Sequence, residues 1–298
     1  MKDRLRLALY LIALAALAWL VVRWWPELSA LWKTHALAFL GVTLLVSSSI
    51  ALQAITFRLF LPADERPSLL AVVRIWGVAS LVNYLGPLQP GVFARVAMLN
   101  QLGVSLARST VATLRQITAS IWIATGLTGG ALLCLQVPGT KQPGYLCLLA
   151  FALYPVCIGS IRRAAAALLS DRKWVPQTLR RHLPHALEMP SLVASAGVFA
   201  LYCGGTAILL YGYAAFGADV DLAIAVLMAC GVYVSSLVSL LPGNLGVSET
   251  IYLIGGHSMG LSISEAAALA LLLRTAHVAA SAALAISLHP WRGRCGAI

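Results

Sequence analysis

Unbroken apolar runs, each about as long as a bilayer is thick, recur along the whole chain. They lie at roughly 5–25, 36–60, 106–135, 144–161, 191–216 and 262–288. About 20 apolar residues cross the hydrocarbon as a helix. Backbone in lipid must satisfy its own N–H and C=O groups, which leaves only helices and closed barrels. The residue-by-residue alternation of a barrel strand is absent here. Only 10% of the 298 residues are charged and 60% are hydrophobic, whereas soluble domains are about 25% charged. The expected fold is an all-α polytopic membrane protein in one integral-membrane unit, 1–298.

The start, MKDRLRLALYLIALAALAWLVVRWW, has a longer core than a cleaved signal peptide. It ends on Arg23, Trp24, Trp25 and Pro26, an interfacial anchor. It reads as a retained extra span within 1–35. Lys2, Arg4 and Arg6 place the N-terminus inside by the positive-inside rule. Arg58 and Arg66 then return inside, and the loop 161–190 is strongly basic. Asp219 and Asp221 lie outside, and Arg292 and Arg294 put the tail 289–298 inside. Both termini are expected to be cytoplasmic, in an inner membrane. Loop 161–190 reads either as a plain basic loop or as an interfacial helix on anionic headgroups.

Two apolar stretches are interrupted. One runs 69–86, breaks at GPLQPG (Gly86 to Gly91) and resumes to about 103. The other runs 221–241, breaks at Pro242, Gly243 and Asn244, and resumes to about 259. Neither resumed piece can span alone. The charge pattern is consistent if each stretch enters and leaves on one side. The unit of span, broken re-entrant hairpin and span then occurs twice, in inverted orientation, at 36–135 and 191–288, joined by 136–190. GVSLARSTVATLR (103–115) and GLSISEAAALALLLR (260–274) share Gly-x-Ser followed by an apolar run ending in arginine. Their spacing differs by two residues and pairs Arg115 with Arg274. Broken segments in corresponding halves are the usual pointer to a transporter's binding site. The alternative is a kinked helix pair without a ligand.

Few charges fall inside the apolar zone: Arg74, Arg95, Arg115, Glu249 and Arg274, with Arg108 and Glu265 nearer span ends. A mid-bilayer charge costs about 2.5–3.5 kcal/mol on insertion scales, so it is expected to be paired or functional. Arg74, Arg108 and Glu265 read as snorkelling side chains. Glu249 can pair with Arg115 or Arg274, as a structural ion pair or at a phosphate site. His277 shares a helix face with Arg274 and reads as a core histidine or a proton relay. At the breaks, the new short helices present free N–H groups, and Gln89 and Asn244 add amides.

Other chemistry is not encoded. The six cysteines form no CxxC pair, and His182 and His185 lack further ligands, so no metal is expected. No P-loop, GxSxG or HExxH motif occurs, so neither catalysis nor a cofactor is expected. The net charge of +11 sits in short loops and span ends. That distribution argues for anionic lipid and against nucleic acid.

The stretch LPGNLGVSE resembles the signature Pro-Gly-Gly-Leu-Gly-Val-x-Glu of the lysylphosphatidylglycerol synthase/flippase transmembrane family, through Pro242, Gly243, Leu245, Gly246, Val247 and Glu249. Gly91 and Arg95 resemble that family's Gly-Glu-x-x-Arg. Arg115 resembles the arginine of its Glu-Arg-x-x-Asp, and Arg274 its late-helix arginine. Val92, Leu114 and Thr118 stand where the family has acids, so contacts through those acids are not carried over. The resemblance covers roughly 36–288, the membrane half. It implies movement of polar or glycosylated lipids between leaflets, and it does not imply aminoacyl transfer. The expected substrate-binding set is Gln89, Gly91, Arg95, Arg115, Gly243, Asn244, Glu249 and Arg274. The expected partners are anionic or phosphate-bearing lipids and, in the alternative reading, a glycosyltransferase or lipid-synthesis enzyme docked on a non-transporting subunit.

Overall fold

The computed structural model describes residues 34–85, 89–170, 188–237, 244 and 246–287. The expected first span, the breaks at 86–88 and 238–243, and most of loop 161–190 lie outside the described residues. Within them the chain is helical, with no strand. The helices are α1 (Ala36–Phe60), α2 (Leu69–Val82), α3 (Pro90–Gln101), α4 (Leu106–Cys134), α5 (Lys141–Ser170), α6 (Leu192–Ala215), α7 (Leu222–Leu237), α8 (Val247–Ser258) and α9 (Ile263–Ser287).

Five of these, α1, α4, α5, α6 and α9, are long and apolar enough to cross a membrane, as the window lengths predicted. The chain is a multi-pass membrane protein. Helices α2 and α7 are equally apolar but have 14 and 16 residues. At 1.5 Å per residue they reach about 21 and 24 Å, short of a hydrocarbon core near 30 Å. Each is followed, after its break, by a helix of 12 residues. Helix α5 continues past the expected end of its span to Ser170, so the first part of the basic loop is helical.

The helix starts follow from side-chain caps, which satisfy N–H groups that have no intrahelical partner. Ser68, Ser105 and Ser191 accept from Ala71, Arg108 and Ala194 N–H, and Asp221 accepts from Ile224 N–H. Ser262 and Glu265 form a reciprocal capping box at α9, with Ser262 N–H to Glu265 at 2.9 Å and Glu265 N–H to Ser262 at 3.3 Å. Two expectations change here. Glu265 caps a helix instead of snorkelling, and Arg108 holds Glu65 at 2.7 Å and Asp64 at 3.2 Å in the α1–α2 turn.

The shared Gly-x-Ser has one local structure in both halves. Gly103 (φ 89°) and Gly260 (φ 84°) end α3 and α8 in the left-handed region, which a Cβ would strain. Val104 and Leu261 are buried and donate back to Leu99 O at 3.1 Å and Gly256 O at 2.9 Å. Ser105 and Ser262 then cap the next long helix.

The buried core lies where α1, α6 and α9 meet, around Phe57, Tyr202, Tyr213 and Leu269. The buried phenols find acceptors: Tyr202 donates to Ser120 O at 3.0 Å and Tyr213 to Tyr252 O at 2.6 Å. Helix α1 packs on α6, α2 on α9, and α4 on α7, while α2–α3 and α7–α8 form hairpins. Helix α5 lies along α4. Pro155 has no N–H, which leaves Phe151 O without its usual partner four residues on. Trp122 of α4 donates to that carbonyl at 2.9 Å and stacks on Phe151 and Tyr154.

Candidate functional site

Side chains from both hairpins and from α1, α4, α6 and α9 line one cavity of about 350 Å³. The geometry is built from the breaks outward. Gln89 (φ 50°) and Asn244 (φ 59°) are the non-glycine residues with positive φ among those described. Each sits just before a short helix. Such backbone costs roughly 1–2 kcal/mol and clusters at functional positions. Asn83, at the end of α2, bridges the first break by accepting from Gly91 N–H at 2.9 Å. A Cβ on Gly91 would lie 2.0 Å from Ala79 O, so only glycine fits. Across the second break Asn244 donates to Ser235 Oγ at 2.8 Å.

Two arginines face this cavity, in contrasting surroundings. Arg274 of α9 donates through Nε to Glu249 Oε1 at 2.8 Å, and Nη2 reaches the same oxygen. Its guanidinium also lies 5.1 Å from the Tyr84 ring centroid. The other Glu249 oxygen accepts from Gly246 N–H at 2.7 Å and from Ser248 Oγ at 3.1 Å. Glu249 therefore caps α8 and neutralises Arg274 together. Arg95 of α3 is stacked between Trp76 (4.4 Å) and Phe57 (5.1 Å) and donates to Thr113 Oγ1 at 3.2 Å. Among the described residues no carboxylate lies within 4 Å of it. Its Nε is buried without a hydrogen-bond partner. Stacking is worth about 0.5–2 kcal/mol per ring, which offsets much of the 2.5–3.5 kcal/mol cost of an intramembrane charge but leaves the charge unneutralised. An anion entering the cavity meets one guanidinium with no counter-ion and one that already has it.

The structure thus brings together Gln89, Gly91, Arg95, Asn244 and Arg274 on the cavity wall, with Glu249 behind Arg274. Gly243 lies outside the described residues. Arg115 does not line the cavity. It sits 4.0 Å from Glu188, in the segment that leads into α6. The physical reason is helix phase. Gln116, Ile117 and Ser120 line the cavity at the same offsets from Ser105 as Leu273, Arg274 and His277 do from Ser262. Counted from the two serines, Ile117 and not Arg115 stands at the offset of Arg274. The two-residue offset that matched arginine to arginine rotated α4 out of phase. Helices α2 and α7 show a similar register, with Trp76, Ala79, Ser80 and Asn83 spaced as Ala229, Val232, Tyr233 and Ser236.

Sequence reasoning missed Gln53, Asn83, Tyr84 and Gln116, all on the wall. A signal was present. Ser49 with Gln53 and Gln116 with Ser120 are uncharged polar pairs at i and i+4, so each puts a polar stripe on one face of an otherwise apolar span.

The profile of the family described as the lysylphosphatidylglycerol synthase TM region matches residues 6–285. The chain belongs to this family. The match takes in every described helix up to the last residues of α9. No match was found among curated proteins or among solved structures.

Proposed function

We propose that the chain is a non-enzymatic lipid flippase of the cytoplasmic (inner) membrane, moving a phosphate-bearing lipid between leaflets. The observation that carries this reading is Arg95, a buried guanidinium without a counter-ion among the described residues, facing a cavity shared by both broken hairpins. A lipid phosphate supplies the missing negative charge. It can approach Arg274 as well, in exchange with Glu249, while the acyl tails remain in the bilayer.

Several features support an inverted repeat as the frame. Helices α1 to α4 correspond in order to α6 to α9. The pairing of α2 with α9 corresponds to that of α7 with α4, and α1 packs on its own counterpart α6. The two Gly-x-Ser turns and the two left-handed residues before short helices fit the same correspondence. In this frame α2–α3 enters from the cytoplasm and α7–α8 from outside, so the cavity lies between two re-entrant hairpins. The distribution of basic residues supports cytoplasmic termini.

The test is reconstitution of the purified protein into liposomes carrying a leaflet-accessible fluorescent anionic phospholipid. Protein-dependent translocation is expected. If translocation stays at the rate of empty vesicles, the protein is instead a non-transporting membrane subunit.

A further inference from the structure

Beyond Arg95 and Arg274, the cavity wall is unusual in its uncharged polar groups. Five carboxamides face this one space: Gln53, Asn83, Gln89, Gln116 and Asn244. Much of their hydrogen-bonding capacity is unused. Gln89 and Gln116 make no side-chain hydrogen bond to another described residue. Asn83 engages only Oδ1, Gln53 only Nε2 and Asn244 only Nδ2. Asn244 is 8% exposed, and its Oδ1 is buried without a partner. What remains is a mixed set of donors and acceptors. Such a set suits hydroxyl groups, which donate and accept at once.

An ammonium group would find amide oxygens here but no free counter-charge among the described residues. Among the described residues the one carboxylate at the site, Glu249, is held by Arg274, Gly246 N–H and Ser248. Arg95 adds an uncompensated positive charge. Of the aromatic rings on the wall, Trp76 already holds Arg95 and Tyr84 holds Arg274, which leaves Tyr233 and Tyr252. Val92, on the cavity wall three residues before Arg95, contributes no charge. Small-molecule sites span about 300–1,000 Å³, and this cavity lies near the lower end, which limits the headgroup to one compact unit.

We infer that the cavity takes a headgroup of one phosphodiester with an uncharged, hydroxyl-rich remainder of the glycerol, inositol or single-sugar class, and excludes headgroups bearing an ammonium. This rests on the reading that a lipid headgroup enters the cavity. It adds the selection rule, and the two can fail separately.

The test is equilibrium binding to the full-length protein in detergent, with transport measured in parallel. The probes are dihexanoyl phosphatidylglycerol, dihexanoyl phosphatidylethanolamine, glycerol phosphate and inorganic phosphate. Phosphatidylglycerol is expected to bind at least about tenfold more tightly than phosphatidylethanolamine. Glycerol phosphate is expected to outcompete inorganic phosphate by a similar factor, since only it reaches the carboxamides. Equal affinities within either pair overturn the inference. Val92→Glu places a carboxylate one turn from Arg95 and should reverse the lipid preference. If that variant binds as the wild type does, the charge argument fails. If it does not fold, the four wild-type affinities still decide. Selective binding without translocation overturns the transport reading and upholds the selection rule. Translocation of both lipids with equal affinity does the opposite.

Discussion

Replacing Arg274 by alanine removes one partner of a pair that is mostly enclosed, with 15% of the arginine side chain and 27% of the glutamate side chain exposed. Breaking a buried ion pair from one side costs about 3–5 kcal/mol, because the remaining charge is stranded. Here the loss is smaller. Glu249 keeps the Gly246 N–H at 2.7 Å and the Ser248 hydroxyl at 3.1 Å, and partial exposure screens what is left. A destabilisation of about 2–3 kcal/mol follows, or a fall of roughly 5–10 °C in melting temperature. Adding Glu249→Gln removes the stranded charge while leaving an oxygen for the Gly246 N–H, since glutamine also serves in a capping box. The double variant should therefore recover most of the melting temperature but not lipid translocation. Thermal melts in detergent, together with liposome translocation, read both quantities. A double variant that melts as low as Arg274→Ala refutes the pairing argument. An Arg274→Ala protein that moves lipid at the wild-type rate refutes its role as a phosphate contact.

Other expectations follow from single contacts. Gly91→Ala drives a Cβ into Ala79 O at 2.0 Å and should abolish stable expression or sharply lower the melting temperature; a normal melt would mean the hairpin closes differently. Arg115→Ala, away from the cavity, should weaken phosphatidylglycerol binding far less than Arg95→Gln does; equal losses would put both arginines at the headgroup. Cysteines at Ala63 and Gly103 should label from one membrane face and a cysteine at Ala218 from the other; labelling of all three from one face contradicts the inverted arrangement.

Much of the fold was readable from the chain because membrane burial needs long apolar windows, and these mark the five described spans directly. The breaks were readable because clustered Pro and Gly disfavour a helix, and α2 and α7 end before GPLQPG and PGN. The Glu249–Arg274 pair was one of two options left open, since acids are scarce in the apolar zone, and geometry selects Arg274. Helix phase was harder to read. Matching Arg115 to Arg274 by residue type overrode the Gly-x-Ser register, in which Ile117 stands at the offset that Arg274 has from Ser262. The setting of Arg95 was not readable either. Its rings, Phe57 and Trp76, come from α1 and α2, and only the packing of those helices against α3 brings them to it. Glu249 as a helix cap was within reach, because it stands three residues after Gly246 at the start of a short helix.

The central claim is that the lone guanidinium of Arg95 anchors a lipid phosphate during transfer between leaflets. Leaflet-resolved translocation of fluorescent phosphatidylglycerol by purified protein, wild type beside Arg95→Gln, tests it most directly. Glutamine keeps a polar side chain near Thr113 but removes the charge. Protein-dependent translocation is expected for the wild type and a rate near that of empty liposomes for Arg95→Gln, in a variant that still melts cooperatively. Translocation by Arg95→Gln at the wild-type rate would contradict it.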